Sequence, residues 1–387
     1  MLNYLFKCNF FWSDTHHEVP EEIILLGIDL LASDPETWTN KPEAMSETER
    51  YEVLTQYGEL SGLSKFFKDP AELSKLLEGE IEKWMVWLHP DQASVVNANY
   101  AGPARIAGAA GTGKTSVALH RAKKLVEKVK GQLSFDDRQT PKIAFITYNN
   151  NQPNVLRNLY KRIPGTDVRD IEFITLNQLA AKILRGEPRL NIKGGIPEEF
   201  DLALKKIVPP NSALDRGTGI RFGVDDEWRK YLFDEIEYVI KGREIRSKED
   251  YAVLDRKGRQ QPLGRKQREQ LWELFEEFQA QMKKAGLHTW MEHISEAYSK
   301  LKRTGEKYYM SVIVDEVQDI SQIGLKMIRQ AVNGNSDTDQ PNGLLLVGDG
   351  AQRIYTNFCS LQDAGINIVG RSTILKKNYR NSPEILR

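Results

Sequence analysis

Residues 108–115 read GAAGTGKT, a G-x-x-x-x-G-K-[ST] loop set between an apolar run at residues 104–107 and a stretch of helical spacing at residues 116–129. That context constrains the fold more than the string does. A glycine-rich turn joining a strand to a helix aims backbone N–H groups and the helix N-terminus at one point, which makes an anion site. Gly108, Ala109, Ala110, Gly111, Thr112 and Gly113 form the cradle, Lys114 reaches the outer phosphates, and the Thr115 hydroxyl is a ligand for Mg²⁺. The plain alternative is a glycine turn with a stray lysine. It explains neither the buried strand on one side nor the basic-ended helix on the other. The loop therefore predicts a nucleoside triphosphate site inside an α/β fold.

The 387 residues suffice for two or three domains. Cys8 and Cys359 are the only cysteines, so no disulfide framework is implied and a reducing compartment is expected. The six histidines and two cysteines show no metal-ligand spacing. No apolar run reaches membrane-spanning length, and the first twelve residues lack a basic start and a small-residue cleavage site, so a cytoplasmic location is expected. The net charge of zero hides an asymmetry. Residues 13–86 hold seventeen acidic and six basic side chains, whereas residues 241–268 hold ten basic and four acidic ones. The basic block suits phosphate neutralisation on a nucleic acid, although a solvated helical surface reads the same way.

The first 86 residues read as an acidic, mostly helical extension with no visible chemistry. Beyond Trp87 the character changes. Apolar runs of strand length recur at residues 104–107, 143–148, 171–176, 311–314 and 344–347, with helical patterns between several of them. Near-continuous apolar strands alternating with helices predict a parallel sheet covered on both faces. The series breaks between about residues 186 and 307, where the pattern is helical. Trp228, Tyr231, Leu232, Ile236, Val239 and Ile240 share one face, and Leu271, Leu274, Phe275, Phe278 and Met282 another. Thr289 and Glu292 form a capping box for a further helix that Gly305 closes. The division is thus an extension at 1–86, an α/β domain at 87–185 and 308–387, and a helical insert at 186–307.

Residues 312–316 read VIVDE, an apolar strand ending in two acids. Asp315 at the strand's C-terminal edge can hold Mg²⁺, and Glu316 is placed to orient and deprotonate an attacking water. Alone this is a weak signal, since strands often run into acidic turns; beside GAAGTGKT it is strong. Two further strings, GDGAQRIY at 348–355 and NYRNS at 378–382, each follow an apolar stretch. Gln352 could bridge to a γ-phosphate and Arg380 could contact it directly. Polar turn tips explain these two equally well.

The ordered set LHPDQ (88–92), GAAGTGKT, ITYNN (146–150), DEVQD (315–319), GDGAQRIY and NYRNS resembles the UvrD/Rep/PcrA class of superfamily 1 DNA helicases. The resemblance covers the chain from about Trp87 onward. It implies a P-loop NTPase with a RecA-like parallel sheet (domain 1A) and an inserted helical subdomain (1B). It also implies ATP and Mg²⁺ as cofactors and single-stranded or partly duplex DNA as partner. By the same resemblance Gln92 reads the adenine edge and Tyr379 stacks on it. Tyr148, Asn149, Asn177 and Tyr355 meet the DNA strand, while Gln318 and Asp319 couple the magnesium site to the Gln352 segment. Ser116 stands where the family often has an arginine, Asn151 replaces a common lysine, and a tryptophan expected shortly after Tyr355 is absent.

The family's second RecA-like domain would follow Arg387, carrying an arginine finger that completes the ATP site. The expectation is therefore the N-terminal half of an ATP-dependent helicase or single-strand translocase, binding ATP with little turnover by itself. One alternative is a nucleotide-gated nucleic-acid-binding or regulatory module without unwinding activity, its acidic extension docking a protein partner. An RNA-directed helicase is another.

Overall fold

A computed structural model of the chain describes residues 88, 90–132, 142–209, 212–215, 226–256, 261–333, 341–349 and 361–377. The acidic extension at 1–86 lies outside these residues, as do Gln352, Tyr355, Tyr379 and Arg380. Six strands are described: β1 Ala104–Gly108, β2 Ile143–Thr147, β3 Ile171–Thr175, β4 Ser311–Val314, β5 Leu344–Gly348 and β6 Ser372–Leu375. The helices in chain order are α1 Pro90–Asn97, α2 Lys114–Gln132, α3 Gln152–Lys161, α4 Leu176–Ile183, α5 Glu198–Ile207 and α6 Asp226–Asp234. They continue with α7 Lys248–Val253, α8 Arg265–Ala285, α9 Trp290–Thr304 and α10 Gln322–Ala331. A π-helical turn, Glu235–Lys241, extends α6.

The strands form one sheet in the order β3-β2-β4-β5-β1-β6, and every pair is parallel. Each apolar run of the sequence became a strand because both of its faces are covered. Along β4, Val312 and Val314 enter one core while Ile313 enters the other. In β2, Ala144 and Ile146 take the first core and Ile143 and Phe145 the second. One face packs on α1, α2 and α3, the other on α4, α9 and α10. Because all strands run the same way, their C-terminal ends gather along one edge, where parallel sheets bind ligands.

A third core belongs to the helical insert. Phe200, Trp228, Leu232, Ile236, Ile240, Tyr251, Leu271, Phe278 and Met282 close on one another there. The faces expected from spacing on α6 and α8 are those that are buried. The residues 228, 232, 236 and 240 recur every fourth position, and the chain accommodates this with bonds reaching five residues back: Gly242 N to Glu237 O at 2.8 Å and Ile245 N to Ile240 O at 2.9 Å.

Helix α9 begins and ends as its caps dictate, Thr289 accepting from Glu292 N and Gly305 adopting a left-handed φ of 69°. It falls in the stretch expected to be insert, yet its stripe of Met291, Ile294, Ala297 and Leu301 packs into the sheet core with α4 and α10. An amphipathic stripe states that a helix is buried, not against what. No described helix is long and apolar enough to cross a membrane.

Candidate nucleotide site

The phosphate loop leaves β1 at Gly108 and becomes α2 at Lys114. Gly111 and Gly113 hold φ of 86° and 78°, a left-handed region that L side chains enter only with strain. Thr112 closes the turn on itself, its hydroxyl donating to Ala109 O at 2.9 Å. Lys114 is nearly buried; its ammonium donates to Gly108 O and Ala109 O, each at 2.9 Å, so its charge sits at the centre of the loop. A Cβ on Gly108 would lie 2.5 Å from Thr112 Oγ1 and 3.0 Å from Leu375 O, which leaves no room between loop and β6.

Gln92, expected at the adenine edge, is buried against the loop. Its Nε2 donates to Thr112 O at 2.9 Å, bracing the loop across a separation of twenty residues. A Cβ on Gly113 would stand 2.5 Å from that Nε2. Gly113→Ala thus combines a left-handed strain of about 1–2 kcal/mol with a clash against the brace. We expect nucleotide affinity to fall by at least about tenfold, measured by titration of a fluorescent ATP analogue. An unchanged affinity would show that the loop does not depend on this geometry.

The acids arrive from β4. Asp315 N donates to Ile146 O at 2.9 Å, continuing the ladder one residue past the strand. The Thr115 hydroxyl donates to Asp315 Oδ2 at 3.2 Å, joining residues two hundred apart in sequence. Asp315 is buried, and its pKa is pushed up to about 7, first by that burial and then by the adjacent Glu316 charge. The Glu316 N–H, the Thr115 hydroxyl and the Lys114 charge pull against this rise.

Glu316 adopts φ 49° and ψ 48°, a left-handed backbone in a residue with a Cβ. Such strain clusters at functional positions because surrounding contacts must hold it. Those contacts are visible here. Gln318 Nε2 donates to Glu316 Oε2 at 2.7 Å, while Gln318 Oε1 accepts from Asp349 N at 3.2 Å. A single amide therefore ties the acidic turn after β4 to the end of β5. A Cβ on Gly348 would sit 2.3 Å from Gln318 Oε1 and 2.9 Å from Val317 Cγ1, so a side chain there displaces this tie. Asp319, at the end of this turn, is buried, and its carboxyl is raised to about 6 by that burial and by the Glu316 charge.

A hydroxyl and a carboxylate in contact beside a lysine make a hard-oxygen pair that fits Mg²⁺ held largely by phosphate oxygens and water. Among the described residues no group of three or more His, Cys, Asp or Glu side chains converges as a metal site. The ion would accordingly depend on Thr115, Asp315 and the nucleotide together. It must also displace a proton when Asp315 is protonated. Magnesium affinity should rise from about pH 6 to about pH 8 as Asp315 ionises, with proton release on binding. Without metal the linkage runs the other way for stability. The folded chain keeps the Asp315 proton between 3.8 and about 7, so this contribution is present below that range and lost as pH climbs through it. Calorimetric titration in two buffers of different ionisation enthalpy checks the proton count, and a pH-independent magnesium affinity would contradict it.

The remaining expected residues follow the sheet edge. Tyr148 and the exposed Asn149 come directly after β2, and the half-buried Asn177 lies in the first turn of α4 after β3. Thr147 and Thr175 are partners in the register of these neighbouring strands, so the two segments leave the sheet side by side. Thr175 also caps α4, its side chain accepting from Gln178 N and Gln178 Oε1 accepting from Thr175 N. Missing from the sequence reading was Arg121. Its guanidinium is buried and donates to Val95 O, Val96 O and Ala98 O at the end of α1 and to Asn342 Oδ1 before β5, so it fixes the helix that carries Gln92. A basic residue on the inward face of α2, one heptad after Lys114, was the available signal.

Comparison with known proteins agrees with this geometry. Residues 88–358, about seven-tenths of the chain, match the family model of the UvrD/REP helicase N-terminal domain. No curated protein matches the chain. That family implies a helicase-type nucleotide-binding module acting with nucleic acid and, in general, ATP-dependent activity. The parallel sheet, the phosphate loop and the acidic turn are the parts such a domain needs, and the chain belongs to the UvrD/REP helicase N-terminal domain family.

Proposed function

We propose that this chain is the Mg-ATP-binding part of an ATP-dependent DNA helicase or single-strand translocase. The observation that carries the reading is the 3.2 Å contact between the Thr115 hydroxyl and Asp315, which puts the phosphate loop and the acidic turn at one point. Residues 87–185 and 308–387 form the RecA-like domain and 186–307 the inserted subdomain, with α9 serving the sheet. Lys114 exchanges its loop carbonyls for phosphate oxygens, a stronger charge-assisted bond. Thr115 and Asp315 would hold magnesium, which when bound would supply charge neutralisation for the phosphate oxygens. Glu316, oriented by Gln318, takes the proton of the attacking water. Gln352 and Arg380 contact the γ-phosphate, Gln92 and Tyr379 serve the adenine end, and Tyr148, Asn149, Asn177 and Tyr355 serve a DNA strand.

In this reading a second RecA-like domain supplies the rest of the clamp, and a conformational cycle biased by the γ-phosphate moves the domains along the strand. The chain alone should bind Mg-ATP with little turnover and unwind nothing. Calorimetry with ATP and a strand-displacement assay test this directly. Failure to bind Mg-ATP would overturn the nucleotide reading, and robust unwinding would overturn the division of labour. Comparing affinity for a DNA and an RNA oligonucleotide of one sequence decides the nucleic-acid class.

A further inference from the structure

Tyr148 does not stand by itself at the sheet edge. Its phenol oxygen lies 2.9 Å from that of Tyr238, ninety residues later, on the π-helical turn of the inserted bundle. Both rings are half-buried, and both pack against the α/β core. The neighbours of Tyr238 do otherwise: Ile236, Val239 and Ile240 enter the core of the insert. Closing its bonds five residues back, the turn presents one short segment to two cores at once.

The far end of this segment is anchored as firmly. Ile323 N donates to Gly242 O at 2.9 Å, and Lys326 pairs with Glu244 at 2.5 Å, so the turn is tied to α10. Glu244 accepts a left-handed φ of 56° to make that exit. Tyr238 is therefore placed by the insert on one side and by the helix after the acidic turn on the other. Its hydroxyl carries this placement to Tyr148.

We propose that Tyr238 is a positioning residue for nucleic-acid binding, fixing the ring of Tyr148 in the plane on which a base of a single strand stacks. The proposal rests on the strand-binding role of Tyr148. A half-exposed tyrosine ring otherwise samples several rotamers, and a base arriving on it must pay for ordering them; a bond made beforehand removes that cost. Stacking itself tolerates any base, so the ligand class is single-stranded nucleic acid without sequence preference.

Tyr238→Phe deletes one oxygen and leaves the packing ring. An oligonucleotide carrying 2-aminopurine reports both affinity and, through fluorescence quenching, the stacking geometry. The expected result is a loss of about fivefold in affinity, the worth of one hydrogen bond, together with weaker quenching. Tyr148→Phe should lose about as much, and the double variant no more than either, because both substitutions delete the same bond. Unchanged affinity and quenching in Tyr238→Phe, or losses that multiply in the double variant, would overturn the proposal while leaving the strand reading intact. No binding of the oligonucleotide by the unaltered chain would overturn both.

Discussion

Glu316→Gln should leave Mg-ATP affinity within about twofold while lowering whatever turnover the protein supports by about 10²–10⁴-fold, the usual weight of a general base. The substitution is nearly isosteric. A glutamine at this position can still accept the Gln318 Nε2–H bond, now 2.7 Å long, through its amide oxygen, so the strained turn keeps its brace. What disappears is the negative charge and the ability to take a proton. A second effect accompanies the first. Glu316 is one of the causes of the raised Asp315 pKa, so its neutralisation lets that carboxyl ionise at lower pH. The pH at which magnesium binding strengthens should therefore move down from about 7 in the variant. Turnover measured at saturating Mg-ATP, together with magnesium titrations across pH, separates the two. Retained turnover would remove Glu316 from the base role; an unmoved magnesium profile would show that its charge is not felt at Asp315.

The largest loss of stability is expected from Lys241→Met, at the junction of insert and sheet. The Lys241 ammonium is almost fully buried, 2.8 Å from Glu237 Oε1 and 2.9 Å from Glu292 Oε1. It also donates to Thr289 Oγ1 at 3.2 Å and lies over the Phe278 ring at 5.0 Å. Burial by itself would lower its pKa, but the two carboxylates outweigh it and hold the group charged. Methionine preserves length and removes the charge, stranding Glu237, whose side chain is 7% exposed. Breaking one side of a buried ionic cluster should cost about 3 kcal/mol, read as a lower urea midpoint. Adding Glu237→Gln to Lys241→Met should recover part of that loss, because the stranded charge goes with it. A loss below about 1 kcal/mol would mean that water reaches the cluster and screens it.

These two residues differ in how visible they are beforehand. Glu316 announces itself, since an apolar run ending in two acids beside a phosphate loop has few other uses. Lys241 reads as one more cation in a basic block, and only the packing of α9 against the π-helical turn after α6 turns it into a buried centre. The same contrast holds across the fold. All five expected strand runs form strands, because an unbroken apolar stretch of that length satisfies a sheet covered on both faces. The capping box at Thr289 and the stop at Gly305 were legible for a similar reason, since caps are settled by residues three or four apart. Hidden from the sequence were the loyalty of α9 to the sheet core, the widened turn after α6, the left-handed Glu316 and the Tyr148–Tyr238 bond.

Gln92 shows where a sound motif reading stops. The residue and its neighbourhood were expected; its donation to Thr112 O was not, because a side-chain amide can turn toward the loop or toward a base with equal chemistry. The sequence by itself determined the phosphate loop, the acidic turn, the strands and the helical faces, since each depends on spacing within one element. The tertiary structure decided which of these meet: Thr115 with Asp315, Gln318 with Asp349, and Tyr238 with Tyr148. Contacts between residues tens to hundreds of positions apart are set by how three cores pack together, and packing is a property of surfaces that no single stretch of chain contains.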